Sequence, residues 1–147
     1  MEEISRSWLT NGVGRVILIG LKRGDCLLES IRDELSRKDI KNAILTGAIG
    51  SLSKVVLHRV TGFEEKPVDE FITLDKPMEL ASLQGIVLDG QPHFHLTVSD
   101  VEQTYTGHLE EGTTVLYLAE ISLLEIMDVN LTRVKGENGI SFIAPKR

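Results

Sequence analysis

Cysteine is nearly absent: Cys26 stands alone among 147 residues, so an intramolecular disulfide and a thiolate zinc site are both excluded. Basic charge is also short. Sixteen Lys and Arg face 22 Asp and Glu, for a formal net charge of -6. That balance opposes nonspecific binding to nucleic acid, where affinity rests on cations neutralising phosphates, and leaves only a local basic patch as a route to it. Long apolar runs are missing. Val16-Ile17-Leu18-Ile19 is far too short to span a bilayer. The start, Met1-Glu2-Glu3-Ile4-Ser5-Arg6, lacks the basic-then-apolar order of a secretory signal. The expected location is the cytoplasm, with no membrane partner. The sequence also has no P-loop, no dinucleotide glycine pattern after a strand, no internal repeat and no linker.

What is present is ordinary globular material, 41% hydrophobic and 26% charged, at a length that buries one core. One domain over residues 1–147 is expected, with residues 1–11 and 144–147 loosely attached. The β-branched run Arg15-Val16-Ile17-Leu18-Ile19-Gly20-Leu21 reads as a buried strand. Gly24-Asp25 ends it, and Leu27, Leu28, Ile31 and Leu35 then follow helical spacing behind an Asp25 N-cap. Residues 42–48 and 54–60 read as two strands around the small-residue stretch Gly47-Ala48-Ile49-Gly50-Ser51, which permits a turn, a bulge or a close backbone contact. Further strands are expected at 70–74, 80–88, 93–98, 105–109, 114–125 and 140–143. Pro67 and Pro77 fall in loops, and Asp89-Gly90 and Asn138-Gly139 favour tight hairpins. One helix among many strands defines an α+β class with largely antiparallel pairing.

Three of the four histidines fall in one hairpin-like segment. In Gln91-Pro92-His93-Phe94-His95-Leu96-Thr97-Val98, strand geometry puts His93, His95 and Thr97 on one face and the apolar residues on the other. Ser99-Asp100-Val101-Glu102-Gln103 can turn the chain so that His108 returns opposite them. Three neutral imidazoles would hold a divalent metal, zinc by donor type, and leave one coordination position open, the catalytic rather than the structural pattern. Such an ion could activate water or polarise a carbonyl on a small-molecule ligand. On spacing alone, a His-x-His pair on a wet strand face is often only surface or a hydrogen-bonding pair.

Glu120, isolated in Leu116-Tyr117-Leu118-Ala119-Glu120-Ile121, is the candidate catalytic acid/base or outer-shell residue; a solvent-facing Glu on an alternating strand is the competing reading. His58 reads as a strand residue with a structural partner, Arg59 as surface or a weak anion binder, and Cys26 as a small packing residue. The basic residues from Lys22 to Lys41 are interleaved with Asp25, Asp33, Glu34 and Asp39, as on a solvated face.

The run Gly85-Ile86-Val87-Leu88, Asp89-Gly90, His93-Phe94-His95-Leu96, Asp100, Gly107-His108-Leu109 and Ala119-Glu120 resembles the PPC domain, shared by plants and prokaryotes. The opening strand, the helix and Ala48-Ile49-Gly50-Ser51 fit the same family, with a core of about residues 14–143. The resemblance implies a strongly bent, mainly antiparallel sheet or partial barrel with one principal helix, assembled as a homotrimer. Plant members join the domain to an AT-hook, an Arg-Gly-Arg-Pro element that binds the minor groove, and bacterial relatives carry a DNA-binding label. No such element occurs in these residues. The histidine pattern is also similar to that of the acetolactate decarboxylases, whose three histidines hold zinc, and by that resemblance His93, His95 and His108 map onto the ligands. The activity does not follow, because only the ligand pattern is visible.

Overall fold

The protein is described here from a computed structural model covering residues 6–147. The expectation of a loose N-terminus falls partly on residues 1–5, outside the described residues. The elements are β1 (Gly12–Lys22), α1 (Leu27–Arg37), β2 (Ala43–Val60), β3 (Asp69–Leu88), β4 (Gln91–Ser99), β5 (Thr104–Leu109), β6 (Thr114–Met127), β7 (Leu131–Lys135) and β8 (Ser141–Pro145). Every strand pairing is antiparallel.

Six strands form one sheet in the order β1-β6-β2-β3-β4-β5, and β5 returns to pair with β2. The length of β2 makes this closure feasible. Its first part pairs with β6 from Ala43 to Lys54, and its last part pairs with β5 at Leu57 and His58. Strands β2 to β5 thus form a ring, while β6 and β1 extend away from it, giving a partly ringed sheet rather than a closed barrel. Strands β7 and β8 form a separate two-stranded sheet. No helix among the described residues is long and apolar enough to cross a membrane.

Several local expectations are corrected. The two strands predicted at 42–48 and 54–60 are one strand, β2, because register shifts after Leu45, Gly50 and Leu52 absorb the small-residue stretch as bulges. The strands at 70–74 and 80–88 likewise merge into β3. Pro77 sits inside it, where the pairing slips between Leu52 opposite Met78 and Lys54 opposite Asp75, so its missing N–H falls at an interruption. Asp25 does not cap α1. Its carboxylate accepts from the Lys22 amide at 2.8 Å, the N-cap is Cys26, and the Leu27 amide donates to the Thr113 carbonyl at 2.8 Å. Strand β7 was not expected at all.

The helix presents Leu27, Leu28, Ile31 and Leu35 to the core, as its spacing predicts. Across from them, Leu52, Leu57, Leu80, Leu83, Leu96 and Leu123 are almost completely buried, each stabilising the fold by roughly 1.5–3 kcal/mol through apolar burial. Asp89 and Gly90 both have positive φ, 52° and 73°, as the two-residue turn joining β3 to β4 requires. This turn fixes the register that places Gln84 opposite His95 and Ile86 opposite His93.

Candidate metal centre

In β4 the side chains alternate as expected: Phe94, Leu96 and Val98 are buried, and His93 and His95 point to the opposite face. Asp100 then turns the chain. Its carboxylate accepts from the amides of Glu102 and Gln103 at 2.7 and 2.8 Å and pairs with Lys76. Those bonds hold the Asp100 carboxyl well below the usual carboxylate range. The turn aligns β5 so that His108 lies directly opposite His95. The same residue lies opposite His58 on β2.

All four histidines therefore meet. Ring centroids are 5.3 Å apart for His93 and His95, 5.0 Å for His93 and His108, and 5.5 Å for His95 and His108, while His58 stacks on His108 at 4.4 Å. Gly107 permits this approach: a Cβ there would lie 2.6 Å from the His58 carbonyl oxygen. Donor atoms of His93, His95 and His108 lie within 4.8 Å of one another. Small side-chain rotations would bring them to the 2.0–2.1 Å typical of a zinc–imidazole bond. A second, overlapping group is formed by His58, His108 and Glu110 on the same distance criterion. His58 Nδ1 is in direct contact with Glu110, and His108 Nε2 is 4.0 Å from the same carboxylate.

Electrostatics favour neutral rings. Burial, followed by the nearby charges of His58, His93, His95 and Arg133, pushes His108 down to about 4. Burial likewise lowers His93, with Arg133 the next contributor. At neutral pH both imidazoles keep a free lone pair, the state a metal requires.

Sequence reasoning singles out His93, His95 and His108 and reads His58 as a strand residue with a structural partner. It has the expected partner, Glu110, and it also belongs to the cluster. Glu110 is signalled in the sequence only by its place two residues beyond His108, just past the end of β5. Arg133 carried no signal, being on a strand whose pattern did not register.

Glu120 lies elsewhere in the chain. It is exposed on β6, opposite Gly20 and Ile49, and lines an outer groove with Leu18, Gly47 and Ser122.

A partly ringed antiparallel sheet with one short helix and a histidine cluster at the ring's closure defines a class of small β-rich domains. The chain belongs to the Plants and Prokaryotes Conserved (PCC) domain family, whose pattern matches residues 9–127. Among solved structures it is similar to a plant- and prokaryote-conserved protein from Pyrococcus horikoshii, 30% identical with a TM-score of 0.77, covering 95% of this chain and 99% of that one. It is also similar to the metal-containing protein AF0104 from Archaeoglobus fulgidus, 25% identical with a TM-score of 0.76, covering 92% and 97%. A candidate DNA-binding protein from Bacteroides thetaiotaomicron, 16% identical with a TM-score of 0.77 over 95% and 98%, shares the fold. A curated relative, the bifunctional protein GlmU of Synechococcus sp., is 28% identical over 110 residues, 71% of this chain. The chain spans only 16% of that relative's length.

Proposed function

We propose that this protein binds one divalent metal, zinc by donor chemistry, through His93, His95 and His108, and presents it to a small molecule. The observation that carries the reading is the convergence of three donor nitrogens within 4.8 Å from two different strands. Burial that keeps His93 and His108 neutral supports it, as does the description of the Archaeoglobus fulgidus protein as metal-containing. Zinc held by three imidazoles would supply Lewis-acid polarisation of a bound oxygen or a nucleophilic water. The chain's own contribution is to orient the ligands: Glu110 holds His58, and His58 stacks on His108 and fixes the plane of that ring.

The family resemblance suggests a homotrimer, and the outer sheet face supports self-association. Val16, Leu18, Ile49 and Leu118 are 46–79% exposed there, and the register places Leu18, Ser122 and Gly47 side by side across β1, β6 and β2. Further copies of the chain would cover this surface. Glu120 lies on the same face, so an acid/base role for it requires a neighbouring copy to carry it to the histidines. A DNA-binding role has in its favour the label of fold relatives and against it the net charge of -6. We place it second.

Elemental analysis of protein purified without an affinity tag or chelator tests the metal reading. About one zinc per chain is expected in the wild type after zinc addition, and much less in His95→Ala. Equal metal in both, or substoichiometric metal in the wild type, would refute it.

A further inference from the structure

Beside the histidines, on the side away from β5, lies an open cavity of about 810 Å³, within the range of small-molecule sites. His93 and His95 form one wall, Trp8 and Phe142 supply apolar surface, and Arg6 and Arg133 supply charge. No Asp or Glu is among the described residues that line it.

Arg133 differs from the surface arginines. Arg15, Arg32, Arg37 and Arg59 are exposed, and each pairs with a carboxylate. Arg133 is half-buried, its Nε is shielded from solvent, and among the described residues that atom has no hydrogen-bond partner. Burial without a counter-charge lowers the pKa of its guanidinium, and its charge in turn depresses His93 and His108. Partly burying a guanidinium with no carboxylate paired to it among the described residues carries a desolvation cost, which an anion accepting from its outer nitrogens in the cavity would offset. The residue is also held in place. Its neighbour Thr132 donates to Asp89 at 2.9 Å, and Lys146 donates to the same carboxylate at 2.7 Å, pinning the β7–β8 hairpin to the β3–β4 turn. The hairpin lies beyond the residues that match the family pattern.

We propose that this cavity binds a small organic carboxylate with an apolar body, and that Arg133 is the residue that recognises the carboxylate. The planar fork of the guanidinium matches a carboxylate in two-point contact, and the apolar body packs on Trp8 and Phe142. The inference deepens the metal reading and rests on it for the ligand's other anchor, since a carboxylate at Arg133 sits next to the face of His93 and His95 that would hold the ion.

The only tryptophan, Trp8, lines the cavity and reports occupancy by its fluorescence. The probe is cyclohexanecarboxylate, titrated into the full chain both zinc-loaded and chelator-treated, with the neutral cyclohexanecarboxamide as control and bound zinc measured in parallel. Saturable carboxylate binding at least tenfold tighter than the amide is expected in the zinc-loaded wild type. Arg133→Gln should lose at least tenfold while keeping its zinc, and Arg133→Lys should recover part of the loss. Unchanged affinity in Arg133→Gln, or no saturable binding to the wild type, would overturn the proposal. Failure of the wild type to hold zinc would refute the metal reading by its own measurement. In that case carboxylate binding to the chelator-treated protein that disappears in Arg133→Gln would still sustain the anion site, and its persistence in the variant would overturn it.

Discussion

His108 lies opposite His95 across the β4–β5 pair, their ring centroids 5.5 Å apart, and this single cross-strand relationship brings the distal histidine to the His-x-His pair. On its other side β5 pairs with β2, the contact that stacks His58 on His108.

The ring contact depends on Gly107. Gly107→Ala would push a methyl group into the His58 carbonyl, so β5 must shift away from β2. Denaturant melts should show a loss of about 1–3 kcal/mol, the usual cost of overpacking, and zinc content should fall as His108 moves. An Ala variant as stable as the wild type would show that β5 closes the ring less tightly than described.

Acid should destabilise the metal-free protein through His108. Its pKa is lowered in the fold to about 4, whereas the unfolded chain takes up the proton near the ordinary histidine value of roughly 6.5. The contribution is therefore fully present above about pH 6.5 and declines as pH falls toward about 4, with His93 acting in the same direction. The melting temperature of chelator-treated protein should fall across this window, and His108→Gln should fall less steeply. Parallel curves for the two proteins would contradict the assignment.

Asp89→Asn isolates the hairpin anchor, because Asn tolerates the positive φ of the turn while losing the charge that binds Lys146. Global stability should change by less than about 1 kcal/mol, as for other exposed ion pairs. Hydrogen exchange should accelerate across residues 131–145 and stay unchanged in β4. Uniform exchange rates in the two proteins would mean that the hairpin is held by other contacts.

Self-association predicts that a charge on the outer face separates the copies. Leu18→Asp combined with Ile49→Asp should move the protein from trimer to monomer in light scattering at micromolar concentration, with its circular dichroism spectrum intact. A monomeric wild type would remove the trimer from consideration.

Local chemistry was legible in the sequence where it acts over a few residues. The apolar spacing of α1, the alternation that separates His93 and His95 from Phe94 and Leu96, and the Asp89-Gly90 turn all follow from backbone periodicity and allowed φ. Small residues and Pro77 suggested breaks in β2 and β3 that the sheet absorbs as bulges, because ladder bonds on either side outweigh one local irregularity.

The sequence by itself determined the α+β class, the strand carrying the His-x-His pair and the return of His108. Only the tertiary structure decided that His58, with Glu110 behind it, joins them, and that Arg133 from β7 borders the cavity lined by His93 and His95. The physical reason is separation along the chain: the cross-strand partners His58 and His108 are 50 positions apart, and their pairing is fixed by ring closure. The place of Arg133 is set by the Asp89 anchor, which no sequence periodicity encodes.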